Sequence, residues 1–224
     1  GPVYPSMSVW LDQHKPVLFD DLLTSSSVID ALKHLSLQAN PPHLLLSGPA
    51  GCGKTTALQL VCRQVLGPSW RATTHVLQAR DLDKTAGAMA KFEAFLRPEG
   101  AGSEDTLAGR TSLDAFDHNI SASADASPPP AGEESIAPAA GTLAAVSRII
   151  IIEDADYLGH ARQSYLRRMM EESSRSARFL FTTHTPSRII EALRSRTQHV
   201  RMPSLTRLMI EQRLETISRE EGLN

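Results

Sequence analysis

The run Gly48-Pro49-Ala50-Gly51-Cys52-Gly53-Lys54-Thr55 carries the residue types needed to hold a phosphate chain. Its glycines let the backbone wrap closely, so that successive N–H groups point at an anion. Lys54 supplies a mobile positive charge for β- and γ-phosphates, and Thr55 supplies a hydroxyl ligand for Mg²⁺. A helix predicted over Thr56 to Leu66 would add its N-terminal dipole. Cys52 falls at a variable position of this P-loop, where it is a small filler or a reactive thiol. About a hundred residues on, Ile149-Ile150-Ile151-Ile152 leads into Glu153-Asp154-Ala155-Asp156. Acid at the end of a buried strand is the second half of an ATPase site. One carboxylate holds the Mg²⁺ shell and the next orients the attacking water. The usual order is Asp then Glu, and here it is reversed. Charge is kept at both places, but Asp154 must reach the water from further back, and small misplacements can cost on the order of 100-fold in rate. Binding of ATP and Mg²⁺ is therefore better supported by these residues than hydrolysis.

The elements that must position these groups alternate between strand and helix. A helical pattern runs from Ser27 to Ala39 and stops at Asn40-Pro41-Pro42. Strands are predicted at His43–Ser47, His75–Ala79, Arg148–Ile152, Arg178–Thr183 and His199–Met202. Helices are predicted at Thr85–Leu96, Ala161–Glu172, Pro186–Arg194 and Leu205–Glu221. This gives an α/β fold with a mostly parallel five-stranded sheet between helices. Between about residues 98 and 146 Gly, Ala, Ser, Pro and acidic residues dominate, a composition that reads as a disordered or poorly ordered insertion. Asn119-Ile120-Ser121 within it reads as a chance match to a glycosylation acceptor.

The chain has 224 residues, 41% of them hydrophobic, and a formal net charge of −2, so any basic surface is local. Its two cysteines make no disulfide framework and fit a reducing, intracellular compartment. No apolar run approaches the roughly 20 residues that span a bilayer. Residues 1–6 read as a non-native remnant ahead of Met7.

Several runs resemble the small subunits of the replication factor C clamp loader, in the AAA+ ATPase family. Trp10-Leu11-Asp12-Gln13-His14-Lys15-Pro16 is similar to that family's opening Trp-Val-Glu-Lys-Tyr-Arg-Pro, and Pro42-His43-Leu44-Leu45 matches its Pro-His-Leu-Leu. The run from Ala161 to Glu171 is similar to its Ala-Gln-x-Ala-Leu-Arg-Arg-x-Met-Glu helix, and that from Ile189 to Thr197 to its Ile-Ile-Glu-Pro-x-x-Ser-Arg-Cys. The resemblance implies an AAA+ domain over residues 7–203 and the start of a helical lid over 204–224. The remainder of the lid, its sensor arginine and a collar domain would follow beyond Asn224.

It also implies roles. Arg196 would be an arginine finger completing a neighbouring subunit's ATP site; alone it would read as a surface arginine. Leu11 and Leu23 fall where the family packs apolar side chains against adenine, and plain core packing is the other reading. The γ-phosphate sensor falls at His184, where the family has Asn, with Thr183 adjacent. Thr56 completes the nucleotide-binding set after Thr55. Lys84 and Lys91, seven apart on the helix predicted over 85–96, would share a face toward DNA phosphates or toward solvent. Arg167 and Arg168 would face DNA or make internal hydrogen bonds. The implied partners are sibling subunits in a hetero-pentamer, a sliding clamp and primer-template DNA, in the nucleus. Three functions stay open: a clamp-loader ATPase, a nucleotide-binding but non-hydrolysing subunit of that machine, and an AAA+ adaptor that recruits proteins.

Overall fold

A computed structural model describes residues 15–84, 86–96, 124–141, 145–205 and 207–222. Five parallel strands form one sheet in the order β2-β3-β4-β1-β5, with β1 at Leu44–Ser47, β2 at Thr74–Gln78, β3 at Arg148–Glu153, β4 at Ala177–Thr183 and β5 at Gln198–Arg201. The longer helices are α1 (Ser26–Leu37), α2 (Lys54–Leu66), α3 (Ala88–Leu96), α4 (Gly159–Ser173) and α5 (Arg207–Glu220). Single turns lie at Trp70–Thr73 and Glu191–Arg194.

Strand side chains alternate between the two sheet faces, and both faces here are covered, which is why the strands read as unbroken apolar runs. Leu44, Leu46, Ile149, Ile151 and Leu180 pack with Leu32 of α1 and Leu58, Val61 and Cys62 of α2. Their neighbours Leu45, Ile150, Ile152, Phe179 and Phe181 pack on the other side with Leu166, Met169 and Met170 of α4. The result is three layers, helix, sheet and helix. Burial pushes the Cys62 thiol up to about 12, so it behaves as an inert core group. The register brings the C-terminal strand ends together: Gln78 is opposite Glu153, and Ser47 lies between Thr183 and Arg201. The P-loop and the Glu153-Asp154 pair lie at that end of the sheet.

Two expectations need correction. The helix predicted over Thr85–Leu96 starts only at Ala88. Lys84 ends a separate 3-10 segment, Ala79–Lys84, and Gly87 between them takes φ of +72°, a conformation that interrupts a right-handed helix. Lys84 and Lys91 therefore do not share a face of one helix. The second correction concerns the insertion. Residues 124–141 are not a disordered stretch: they run across α2 to the end of α1 through specific hydrogen bonds. Low apolar content removed the usual signal for order, and polar bonds to buried partners supply the order instead. The chance acceptor Asn119-Ile120-Ser121 lies outside the described residues, as do Leu11 and the rest of the opening run up to His14.

Candidate nucleotide site

The P-loop leaves β1 and enters α2 at Lys54. At its start, Gly48 N–H donates to the Thr183 carbonyl at 3.2 Å, tying the loop to β4. The Lys54 side chain is 8% exposed, and its Nζ donates to the carbonyls of Gly48 at 2.7 Å and Pro49 at 2.8 Å. Cys52 is buried, with its Sγ 3.8 Å from the same amine. A packed thiol in this position is the small filler of the two readings. Gly48 tolerates no side chain: a Cβ there would lie 2.5 Å from the Met202 carbonyl oxygen and 2.8 Å from Cys52 Sγ. Gly48→Ala is expected to destabilise the fold by about 2–3 kcal/mol, the upper part of the range for overpacking, because backbone cannot step aside. Denaturant unfolding checks this; an unchanged midpoint would show that the loop yields.

Thr55 Oγ1 donates to Glu153 Oε1 at 3.2 Å, and Gln78 Nε2 donates to Glu153 Oε2 at 3.4 Å. Burial is the main cause that raises the Glu153 carboxyl above its usual range, helped by the nearby Asp154 charge and opposed by the Thr55 hydrogen bond. A hydroxyl and a carboxylate oxygen side by side suit a hard cation such as Mg²⁺. Such a cation takes one or two carboxylates plus substrate phosphates rather than a full protein cage. No group of three or more His, Cys, Asp or Glu able to hold a metal occurs among the described residues.

Asp154 sits beyond the strand end in the left-handed region, with φ of 53° and ψ of 49°. Its N–H donates to Thr182 Oγ1 at 3.0 Å. Its carboxylate lies 3.3 Å from Arg80 Nε and 3.3 Å from His184 Nε2. Arg80 is itself fixed, lying over the Tyr157 ring at 4.7 Å and donating to the Tyr157 hydroxyl at 3.1 Å. Asp154 is thus held between two basic side chains. A cavity of about 390 Å³ is lined by Ala50, Gly51, Gly53, Lys54, Thr55 and Thr56 on one side and Gln78, Glu153, Asp154, Thr182 and His184 on the other. Most of the sequence-predicted polar groups meet here. Thr183, the alternative sensor, is fully buried, and its hydroxyl accepts from Thr185 N–H.

Beside this lies a more apolar cavity of about 220 Å³, where Leu22, Leu23, Met202 and Ile217 face Gly51, Cys52, Gly53 and Thr56. Leu23 is therefore placed beside the P-loop. Arg196 is elsewhere. It precedes β5, whose N-terminal residue Gln198 is opposite Leu44, so it lies at the other end of the sheet from the P-loop. A four-residue strand separates the two ends by roughly 13 Å. Arg196 contacts Glu171, with Nη2 2.9 Å from Oε1, and the Ala192 carbonyl. Arg167 pairs with Glu171 at 3.6 Å and Arg168 lies over the Tyr165 ring, so both make internal contacts.

Sequence reasoning missed Gln78, Arg80 and Thr182, and also Arg213, which lines the apolar cavity. The available signal for the first two was position: in an open parallel sheet, every residue just beyond a strand's C-terminal end is a site candidate.

A family model described as AAA ATPase domain matches residues 24–182. The replication factor C small subunit of Natronomonas pharaonis is 27% identical over 215 residues, covering 96% of this chain and 53% of that protein. Replication factor C subunit 4 of Schizosaccharomyces pombe is 27% identical, covering 96% and 51%. The small subunit of Methanosarcina acetivorans is 29% identical, covering 96% and 52%. The chain spans about half the length of these curated relatives. Among solved structures, the Thermotoga maritima RuvB Holliday junction branch migration motor aligns with a TM-score of 0.54 at 14% identity, covering 93% of this chain and 55% of that one, a likeness of fold. With a parallel sheet, a P-loop and facing carboxylates at one edge, the chain belongs to the AAA ATPase domain family.

Proposed function

We propose that this chain is an ATP-binding subunit of a replication factor C-type clamp loader, which helps place a sliding clamp on primer-template DNA. The observation that carries the site reading is the Thr55–Glu153 contact of 3.2 Å at the mouth of the P-loop. On this reading the loop amides and Lys54 bind the triphosphate, and the base enters the apolar cavity beside Leu23. Thr55 and Glu153 would hold Mg²⁺, which when bound neutralises charge on the phosphates. His184 faces the same cavity and would contact the terminal phosphate. The resemblance across nearly the whole chain to replication factor C subunits supports the choice of machine and its sibling-subunit partners, and the likeness to the Schizosaccharomyces pombe subunit supports a nuclear site of action.

A second reading, a subunit that binds ATP without hydrolysing it, is favoured by Asp154. A carboxylate whose oxygens already lie 3.3 Å from Arg80 Nε and 3.3 Å from His184 Nε2 is less free to turn toward an attacking water. One experiment covers both. The complex is reconstituted with its sibling subunits, clamp and primer-template DNA, and ATP binding and turnover are measured with and without Asp154→Asn in this chain. ATP binding at this site with lower turnover in the variant supports the first reading. Intact binding with unchanged turnover favours the second. Absence of ATP binding at this site overturns both.

A further inference from the structure

The segment over residues 125–136 makes more directional contacts than a tolerated surface loop needs. At its start Asp125 N–H donates to the Pro68 carbonyl at 2.9 Å, and its carboxylate accepts from the buried Trp70 indole at 2.9 Å and from Ser127 N–H at 2.9 Å. Partial burial opposes the Asp125 charge, but the Trp70 and Ser127 hydrogen bonds, aided by Arg71, outweigh it and hold the carboxyl at about 2. In the middle, Gln64 of α2 is 4% exposed and spends its whole amide on the segment. Its Oε1 accepts from Ala131 N–H at 2.8 Å, and its Nε2 donates to the Glu133 carbonyl at 3.0 Å and to Ser135 Oγ at 2.9 Å. At the end, Ser135 Oγ lies 3.0 Å from the Ser36 carbonyl and Ile136 N–H donates to the Leu37 carbonyl at 2.9 Å.

The contacts that matter functionally go to a third element. Phe19 N–H donates to the Pro130 carbonyl at 2.9 Å, and the Arg63 guanidinium joins the Val17 carbonyl to the Pro128 carbonyl. Val17 and Phe19 flank the stretch whose neighbours Pro16, Leu22 and Leu23 line the apolar cavity beside the P-loop. The strap therefore ties that stretch to α2, the helix that begins at Lys54, through the Phe19–Pro130 main-chain bond and the Arg63 and Gln64 side chains.

We propose that residues 125–136 act as a positioning strap, which fixes the Val17–Leu23 stretch against the P-loop helix and so shapes the pocket for the nucleotide base. This rests on the reading that the apolar cavity takes the base of ATP. Among the described residues, no hydrogen bond joins the strap to the P-loop residues that would bind phosphate, so its effect separates base from phosphate recognition.

The test is made in the full chain with Gln64→Leu, which removes the strap's central amide, and with Asp125→Ala, which frees its start without opening the core. Affinities for MgATP and for magnesium tripolyphosphate, which has no base, are measured by calorimetry. The expected result is MgATP binding weaker by about tenfold in Gln64→Leu, the worth of roughly one or two net hydrogen bonds, with tripolyphosphate affinity unchanged. Asp125→Ala should move the same way by a smaller factor, and it carries the test if Gln64→Leu does not fold. Equal weakening of both ligands, or no change in either, overturns the strap's role. A wild-type chain that binds MgATP no better than tripolyphosphate overturns the base-pocket reading beneath it, a result separable from the variants' behaviour.

Discussion

Replacement of Lys54 by alanine is expected to weaken MgATP binding by about 100-fold, the loss of one strong charge-assisted contact to phosphate at a site sheltered from water. The structure gives this variant a second consequence. Lys54 is nearly buried, and its amine bonds the Gly48 and Pro49 carbonyls, so it also braces the loop that would cradle the anion. Alanine removes both the charge and the brace. Lys54→Arg keeps the charge but offers a planar, longer group where a compact ammonium fits between two carbonyls, so it should recover only part of the affinity. Calorimetric titration of MgATP into each variant measures the effect, and thermal melts of the free proteins show how much is lost loop bracing. An affinity for MgATP unchanged in Lys54→Ala would mean that the triphosphate does not lie in this loop.

How much of this was legible in the sequence depends on whether a feature is local. The P-loop is contiguous, and its requirements for glycine, lysine and a hydroxyl are met within one short run, so Gly48 to Thr55 announces itself. The β-branched run Ile149–Ile152 likewise declares a strand buried on both faces, and Glu153-Asp154 at its end follows. Gln78 and Arg80 were not legible in that way. They reach Glu153 and Asp154 only because β2 lies next to β3 in the sheet, an adjacency no local pattern encodes. The strap is the opposite failure. Pro128-Pro129-Pro130 and its small polar neighbours have the composition of disorder. What orders them is the pairing of main-chain groups with Gln64 and of the Asp125 carboxylate with Trp70, and a composition count gives such bonds no weight. The face shared by Lys84 and Lys91 failed at a single residue, Gly87, whose positive φ divides what periodicity had joined.

The largest effect expected from one substitution is Arg196→Ala, and it should be invisible in the isolated chain. Arg196 lies at the N-terminal end of β5 while the P-loop lies at the C-terminal strand ends, so it cannot serve the site of its own chain. Its pairing with Glu171 does not restrain it much. The two side chains are 37% and 50% exposed, and pairs of that kind contribute about 1 kcal/mol or less. A guanidinium held loosely at a surface, on a short turn anchored by the buried Leu193, is free to reorient toward a neighbouring subunit's nucleotide. If it acts there as a finger on the transferred phosphoryl group, its removal should lower ATP turnover at the neighbouring site by about 10³-fold. MgATP affinity of this chain should not change. Arg196→Lys should recover little, because a point charge cannot present the planar pair of donors. Glu171→Ala is the control, since it releases Arg196 without removing it and should leave turnover intact. The measurement is steady-state turnover of the reconstituted assembly, with the variant present in this subunit alone. Turnover equal to that of the unaltered assembly would return Arg196 to the surface ion pair in which the structure places it.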